Sequence, residues 1–461
     1  MKKWLLIALA SGVLLGASGL GVHQVARAKR ASAVVNSSLA SHEPTARSVG
    51  ARNLVRSTVF TDQHLGDDAF VESFRVDRIP ADFEPQRAIL LSGQHLLNGH
   101  ADTFASIVAA TQGRTTVVAL VDSDTEEEQL DAILQQRNLD GDHVLYVGLP
   151  HDSQWIRDFG PRIAKRNDGS IVVIDAPYGE QDRANDDVVP TALANCLNLP
   201  VVRPPLAVDG GNLLTNGEGL LVTTQRLIAE NAFDGHNSGT IAEVLREFYG
   251  AKESVILLPL VGEPTGHVDV FATFCDTRTI IVGEYDPKVD PVNAAILDRN
   301  AERLARVMTR QGPLQVVRIP MPPRDNECWR SYTNVVYANG ALLMPTYSDM
   351  DRSVERLVIH TYRELLPDWQ VVGIDAEALC AKGGALHCAT ADLSMIDRLP
   401  LCWSAKSFLN ECGRLPHSLP WSELCDYHRD DLRRLYGSSS RSPNFDTPRQ
   451  RGSRTAMPAA R

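Results

Sequence analysis

An α/β fold is predicted by three features of this chain. Short apolar runs recur as strand candidates, the stretches between them carry apolar residues at every third or fourth position, and the two patterns alternate over roughly 300 residues. With 43% hydrophobic residues, the 461-residue chain has the material for one large core with appendages.

Residues 1–28 read as an export signal. Lys2 and Lys3 precede a largely apolar run from Trp4 to Val22, and Ala26-Arg27-Ala28 offers small residues at the two positions a signal peptidase inspects. Cleavage after Ala28 is the expectation; an uncleaved membrane anchor through residues 4–22 is the alternative. The expected location is a bacterial periplasm or the medium, or the membrane surface if the anchor stays. Residues 29–75, rich in Ser, Ala, Arg and Val without a sustained period, read as a flexible spacer.

The main domain is expected over residues 76–400. Its strand candidates, all expected in sheet interiors, are 88–91, 116–120, 144–147, 171–174, 220–222, 254–258, 279–282, 315–317 and 342–344. Helical periodicity marks 126–137, 239–250 and 292–311; in the last, Ile296, Leu297, Leu304 and Val307 share one side, apart from Asp298, Arg299, Glu302 and Arg303. The acidic run from Asp122 to Glu128 lacks calcium-loop spacing and reads as a solvated helix start. No internal sequence repeat is visible. Residues 401–436 read as a C-terminal extension, and 437–461, with five arginines against one aspartate among Ser and Pro, as a disordered basic tail.

The formal charge is −11, and loss of Lys2, Lys3 and Arg27 with the signal would make it −14. Such a surface argues against nucleic acid as a partner and for cationic ligands. Eight cysteines in an exported chain make disulfides the default for most of them, with a bridge among Cys402, Cys412 and Cys425 the first choice. No Cys-x-x-Cys or paired Cys/His spacing supports a metal site.

Three blocks concentrate reactive side chains: Trp155-Ile156-Arg157-Asp158-Phe159-Gly160-Pro161, Gly266-His267-Val268-Asp269 and Gly383-Gly384-Ala385-Leu386-His387-Cys388. Together they supply a thiol, an imidazole and two carboxylates. In this order, and with Asp209-Gly210-Gly211-Asn212, Ser331-Tyr332-Thr333-Asn334 and the stretch from Leu366 to Asp375, they resemble the guanidine-modifying superfamily, specifically its agmatine deiminase and Porphyromonas-type peptidylarginine deiminase branch. The resemblance covers about residues 80–395. It implies the pentein fold, five ββαβ units around a pseudo-fivefold axis, with Cys388 as nucleophile, His267 as general acid/base, and Asp158 and Asp269 gripping a guanidinium group. The implied reaction needs no metal or organic cofactor.

Each residue also has a plainer reading. Cys388 could be a packed small thiol; His267 and Asp269, two apart on one face of a strand, could be a surface ion pair or metal ligands; Asp158 could make a turn. Trp155 walls the site or fills core, Asn334 is a site amide or a structural one, and His387 reads as structural because His267 takes the acid/base role. Gly383 and Gly384 allow close backbone approach beside the nucleophile.

The chain departs from the family after the nucleophile, where Ala389-Thr390-Ala391-Asp392 stands. Near Arg183-Ala184-Asn185-Asp186-Asp187 it resembles the exported peptidylarginine branch, which makes Arg183 a candidate for a substrate carboxylate and an ion pair with Asp186 or Asp187 its alternative; Gln181 stands where a second arginine is expected. The substrate class expected first is an arginine-containing peptide, with deimination to peptidyl-citrulline and ammonia. Agmatine, another small guanidino compound, or a catalytically silent arginine-binding role are the alternatives, and an amidino-group transferase or methylated-arginine hydrolase is disfavoured by the motif spellings.

Overall fold

The apolar runs become strands because Val, Ile and Leu fill both faces of a sheet covered by helices. The computed structural model describes residues 75–180, 183–323, 328–397 and 399. The expectations for residues 1–74, Gln181, the Cys402, Cys412 and Cys425 bridge, and the C-terminal extension and tail therefore lie outside the described residues.

Five sheets share one pattern, an antiparallel pair followed through a helix by a parallel third strand. Arg162–Arg166 pairs antiparallel with Ile171–Ile174, which runs parallel to Val201–Val202. Leu214–Thr215, Leu220–Thr224 and Glu253–Leu257 repeat this, as do Ala272–Phe274, Thr279–Glu284 and Gln315–Pro320, and Val336–Ala338, Ala341–Thr346 and Gln370–Asp375. The fifth joins distant parts of the chain: Thr390–Ser394 lies antiparallel to Gln86–Ser92, which runs parallel to Thr116–Val121. Five ββαβ units are the pentein fold, an architecture that leaves no trace as a sequence repeat here.

Eight of the nine expected runs lie within strands and the ninth, 254–258, overruns its strand by one residue, but Val144–Gly148, Glu253–Leu257 and Gln315–Pro320 end their sheets instead of lying inside them. In Gln315–Pro320 only Ile319 is fully buried, the weaker burial an edge position allows. The first strand of each hairpin escaped the apolar-run reading because it is short or mixed, as in Arg162-Ile163-Ala164-Lys165-Arg166.

The helices start where side chains cap them. Ser123 accepts from the Glu126 N–H to open Asp124–Gln136, with Asp124, Glu126 and Glu127 in the first turn, so the acidic run is a helix start. Asn237 and Thr240 form a reciprocal capping box on Ser238–Phe248. The third helix, Pro291–Leu304, stops short of residue 311 because Met308–Thr309 turns back on Gly312–Pro313, with Gly312 at φ +121°. Its buried side packs Leu297 and Leu304 against Ile280 and Val282. A larger cluster joins Ile89, Val117, Leu342, Met344 and Tyr362.

Cys328 and Cys380 form a disulfide. Two other cysteines depart from the disulfide default: Cys275 is a buried thiol, and the Cys196 thiol donates to the Ala192 carbonyl within its helix.

Candidate active site

The fold brings the sequence-selected residues together by one rule. Asp158 lies just before strand Arg162–Arg166, Asp209 before Leu214–Thr215, His267 and Asp269 before Ala272–Phe274, Asn334 before Val336–Ala338, and Cys388 before Thr390–Ser394. Each unit thus contributes from the loop that leads into its first strand. The spacing of His267 and Asp269 predicts a shared strand face, but neither lies in a strand: His267 precedes, and Asp269 lies within, a turn closed by the Phe271 and Ala272 N–H groups donating to the Val268 carbonyl.

His267 stands between two carboxylates, Nδ1 3.5 Å from Asp158 Oδ1 and Nε2 3.2 Å from Asp209 Oδ2. Burial opposes charge on its ring, yet Asp158 and Asp209 outweigh it and raise the imidazole well above the ordinary range. Burial pushes the Asp158 carboxyl up as well, against the pull of His267. Gly211 makes this contact feasible. Its N–H donates to Asp158 Oδ1 at 3.1 Å, and a Cβ there would fall 2.7 Å from that oxygen and 2.8 Å from His267 Nδ1.

Cys388 Sγ lies 3.7 Å from Asp269 Oδ2 and 3.3 Å from Asn334 Nδ2. The same Asn334 amide group donates to Asp269 Oδ2 at 3.1 Å, and its oxygen accepts from the His387 and Cys388 N–H groups. Burial, then Asp269 and Asp158, raise the thiol well above its usual range, which favours its neutral form. Asp269 is 1% exposed, and among the described residues its Oδ1 has no donor. A buried carboxylate oxygen without a partner is costly unless a ligand supplies the missing hydrogen bond.

Trp155 is half-buried and presses on the nucleophile loop: a Cβ at Gly384 would lie 2.5 Å from its ring. Arg183 makes neither of its expected ion pairs. Its Nη1 donates to the Tyr178 hydroxyl at 3.0 Å, while Asp186 accepts from the Asp152 N–H and Ser153 and Asp187 from the Tyr178 N–H. The Tyr178 ring packs on Phe159, next to Asp158, so Arg183 stands at the flank of the site.

Sequence reasoning assigned no role to Asp209, Gly211, Arg157 or Asp82. Arg157 spans the site floor: its N–H donates to the Cys388 carbonyl, and Nη1 reaches Asp82 at 3.2 Å and Asp392 at 3.0 Å. The turn-forming Asp209-Gly210-Gly211-Asn212 was the available signal for the first two. Among the described residues, no group of three or more His, Cys, Asp or Glu side chains has the arrangement to hold a metal ion.

A family model described as Porphyromonas-type peptidyl-arginine deiminase matches residues 78–393. A Legionella pneumophila protein provisionally named an agmatine deiminase is 26% identical over 263 residues, covering 54% of this chain and 75% of its own. A Mycoplasma mycoides protein of the same provisional name is 26% identical over 288 residues, covering 55% and 78%. Among solved structures, a protein of Porphyromonas gingivalis provisionally described as an arginine deiminase matches at TM-score 0.61 and 24% identity, over 70% of this chain and 98% of its own. The agmatine deiminase of C. jejuni matches at TM-score 0.59 and 22% identity, over 70% and 97%. These structures share the fold.

Proposed function

From the premise that this chain belongs to the Porphyromonas-type peptidyl-arginine deiminase family and is a hydrolase of C–N bonds in linear amidines, we propose that it deiminates peptidyl-arginine through Cys388. The observation that carries the reading is a half-buried thiol set against acids, one of which, Asp269, keeps an oxygen without a donor among the described residues. A planar guanidinium brings the N–H groups and the positive charge that this cage lacks. Asp158 and Asp269 would each accept from it, fixing its central carbon for attack.

Chemistry follows from the charges. The bound cation lowers the cost of ionising Cys388, which gives its proton to solvent, and the thiolate attacks the carbon. His267, poised as an imidazolium, gives its proton to the leaving nitrogen; the C–N bond breaks and ammonia departs, leaving an amidino-thioether cation. The now neutral His267 takes a proton from water, hydroxide adds to the same carbon, and as the C–S bond breaks the thiolate leaves and the hydroxyl proton passes to the released ammonia, giving the ureido product and ammonium. In sum, guanidinium and water become a ureido group and ammonium.

Arg183 at the flank of the site favours a substrate with a carboxylate or peptide carbonyl beyond the side chain. The second reading, agmatine to N-carbamoylputrescine, is favoured by the names of the relatives and by the fact that Arg183 is already bonded to Tyr178. The test measures ureido product from agmatine, free arginine, a peptide ending in arginine and one with internal arginine, with Cys388→Ala as control. Product from peptides supports the first reading, and agmatine alone the second. No product from any, with no selective labelling of Cys388 by a haloacetamidine, leaves a silent arginine binder. Residues 1–28 carry the further proposal that this chemistry takes place outside the cytoplasm.

A further inference from the structure

Asp269 presents two different oxygens. Oδ2 accepts from His387 Nδ1 at 2.8 Å and from Asn334 at 3.1 Å, while Oδ1 has no donor. The other ring nitrogen of His387, Nε2, lies 3.5 Å from Asp82 Oδ2. Both nitrogens of one ring thus face carboxylate oxygens, and an ionised carboxylate only accepts. A lone pair on either nitrogen would oppose an oxygen lone pair, so the geometry favours a proton on each nitrogen of His387, which is 4% exposed.

Asp82 is itself held. Arg157 bonds its Oδ1 and, through its backbone N–H, the carbonyl of Cys388. Asp82 therefore links the Asp158 block, through Arg157, to the Cys388 block, through His387, and His387 links both to Asp269. Three acids, Asp82, Asp269 and Asp392, meet two cations, Arg157 and His387. Arg162 adds its charge to Asp82 and Asp392 from nearby, and the oxygen of this cluster left without a donor among the described residues is Asp269 Oδ1.

We propose that Asp82 and His387 form a positioning dyad for the second substrate carboxylate: the imidazolium, clamped between two acids, pins Asp269 Oδ2 and leaves Oδ1 ionised and open toward the substrate cation. The dyad deepens the proposed function and rests on its assignment of Asp269 to the guanidinium. His387 is a positioning residue, since it acts through Asp269.

The dyad has a pH signature. Burial and Arg157 disfavour charge on the ring while Asp269 and Asp82 favour it, and the balance lies above the ordinary histidine range. Changing Asp82 to an amide removes one support, so the ring loses its proton at lower pH. Activity that needs the imidazolium then fails earlier as pH rises.

The experiment uses the full chain as wild type, His387→Asn, His387→Ala and Asp82→Asn, with agmatine and an arginine peptide assayed from pH 5 to 9. In Asp82→Asn the alkaline limb of kcat/KM is expected to move down by about one pH unit from its wild-type position. His387→Ala should raise KM by roughly tenfold, and His387→Asn, whose amide can replace Nδ1, should recover most of that. A uniform fall in kcat/KM at every pH, or KM unchanged in His387→Ala, overturns the dyad. Ring 15N shifts of labelled wild type, with His387 identified by its loss in either variant, should show both nitrogens protonated at pH 8; a neutral tautomer overturns it whether or not a variant folds. If the wild type turns over no guanidino compound, the deiminase reading fails while the spectrum still decides the dyad.

Discussion

At the level of single residues, the site is a set of groups whose charges suit a cationic ligand. Burial and two acids oppose a thiolate at Cys388 and hold the thiol well above its usual range. Its reaction with neutral iodoacetamide should therefore be slow at pH 7 and quicken only above pH 9, whereas a cationic haloacetamidine should label it rapidly at pH 7. Equal rates for the two reagents at pH 7 would show that the cation does not ionise the thiol. Asn334 touches the thiol, Asp269 and the N–H groups of His387 and Cys388, so Asn334→Ala leaves several buried groups unpaired. A loss of about 2 to 3 kcal/mol in transition-state binding, roughly a hundredfold in kcat/KM, is expected. Gly211→Ala should abolish turnover while leaving the circular dichroism of the fold intact, because its Cβ collides with the Asp158–His267 contact and not with the core.

At the level of elements, the reactive residues occupy the loops before the hairpins, and those loops need bracing. The Cys328–Cys380 disulfide ties the segment leading to Asn334 to the short helix Glu377–Cys380, which leads to Cys388. Arg330, bonded to Glu377 at 2.6 Å, ties the same two segments again. The two sulfurs are 52 residues apart, so removing the bridge in Cys328→Ser with Cys380→Ser should cost about 4 kcal/mol by loop-closure entropy, visible as a lower Tm. An unchanged Tm would mean that the ion pair and packing hold these segments without it.

At the level of the whole molecule, the fifth sheet closes the fold by pairing Thr390–Ser394 with Gln86–Ser92, some 300 residues away in sequence. A chain ending at residue 389 loses this strand and should fail to give a cooperative thermal transition, even though Cys388 is still present. The acidic surface bears on the substrate: with a formal charge of −11, association with a cationic guanidino compound should weaken with salt. KM should rise between 20 and 500 mM NaCl at nearly constant kcat; a flat KM would confine the attraction to the buried acids.

The order of the reactive blocks, the apolar strands and the acidic helix start were legible in the sequence because each is a local pattern of neighbouring side chains. Cys388, His267, Asp158 and Asp269 could be named from their blocks before any contact was known. Tertiary structure alone decided that His267 and Asp269 lie outside any strand, that Asp209 completes the surroundings of His267 across 58 residues, and that Arg183 bonds Tyr178. It also decided the fivefold repetition, the Cys328–Cys380 pairing, and the contact of His387 with Asp82. Local patterning depends on residues a few positions apart, whereas these contacts depend on how separate loops converge once the sheets have packed, and no spacing within a single block records that.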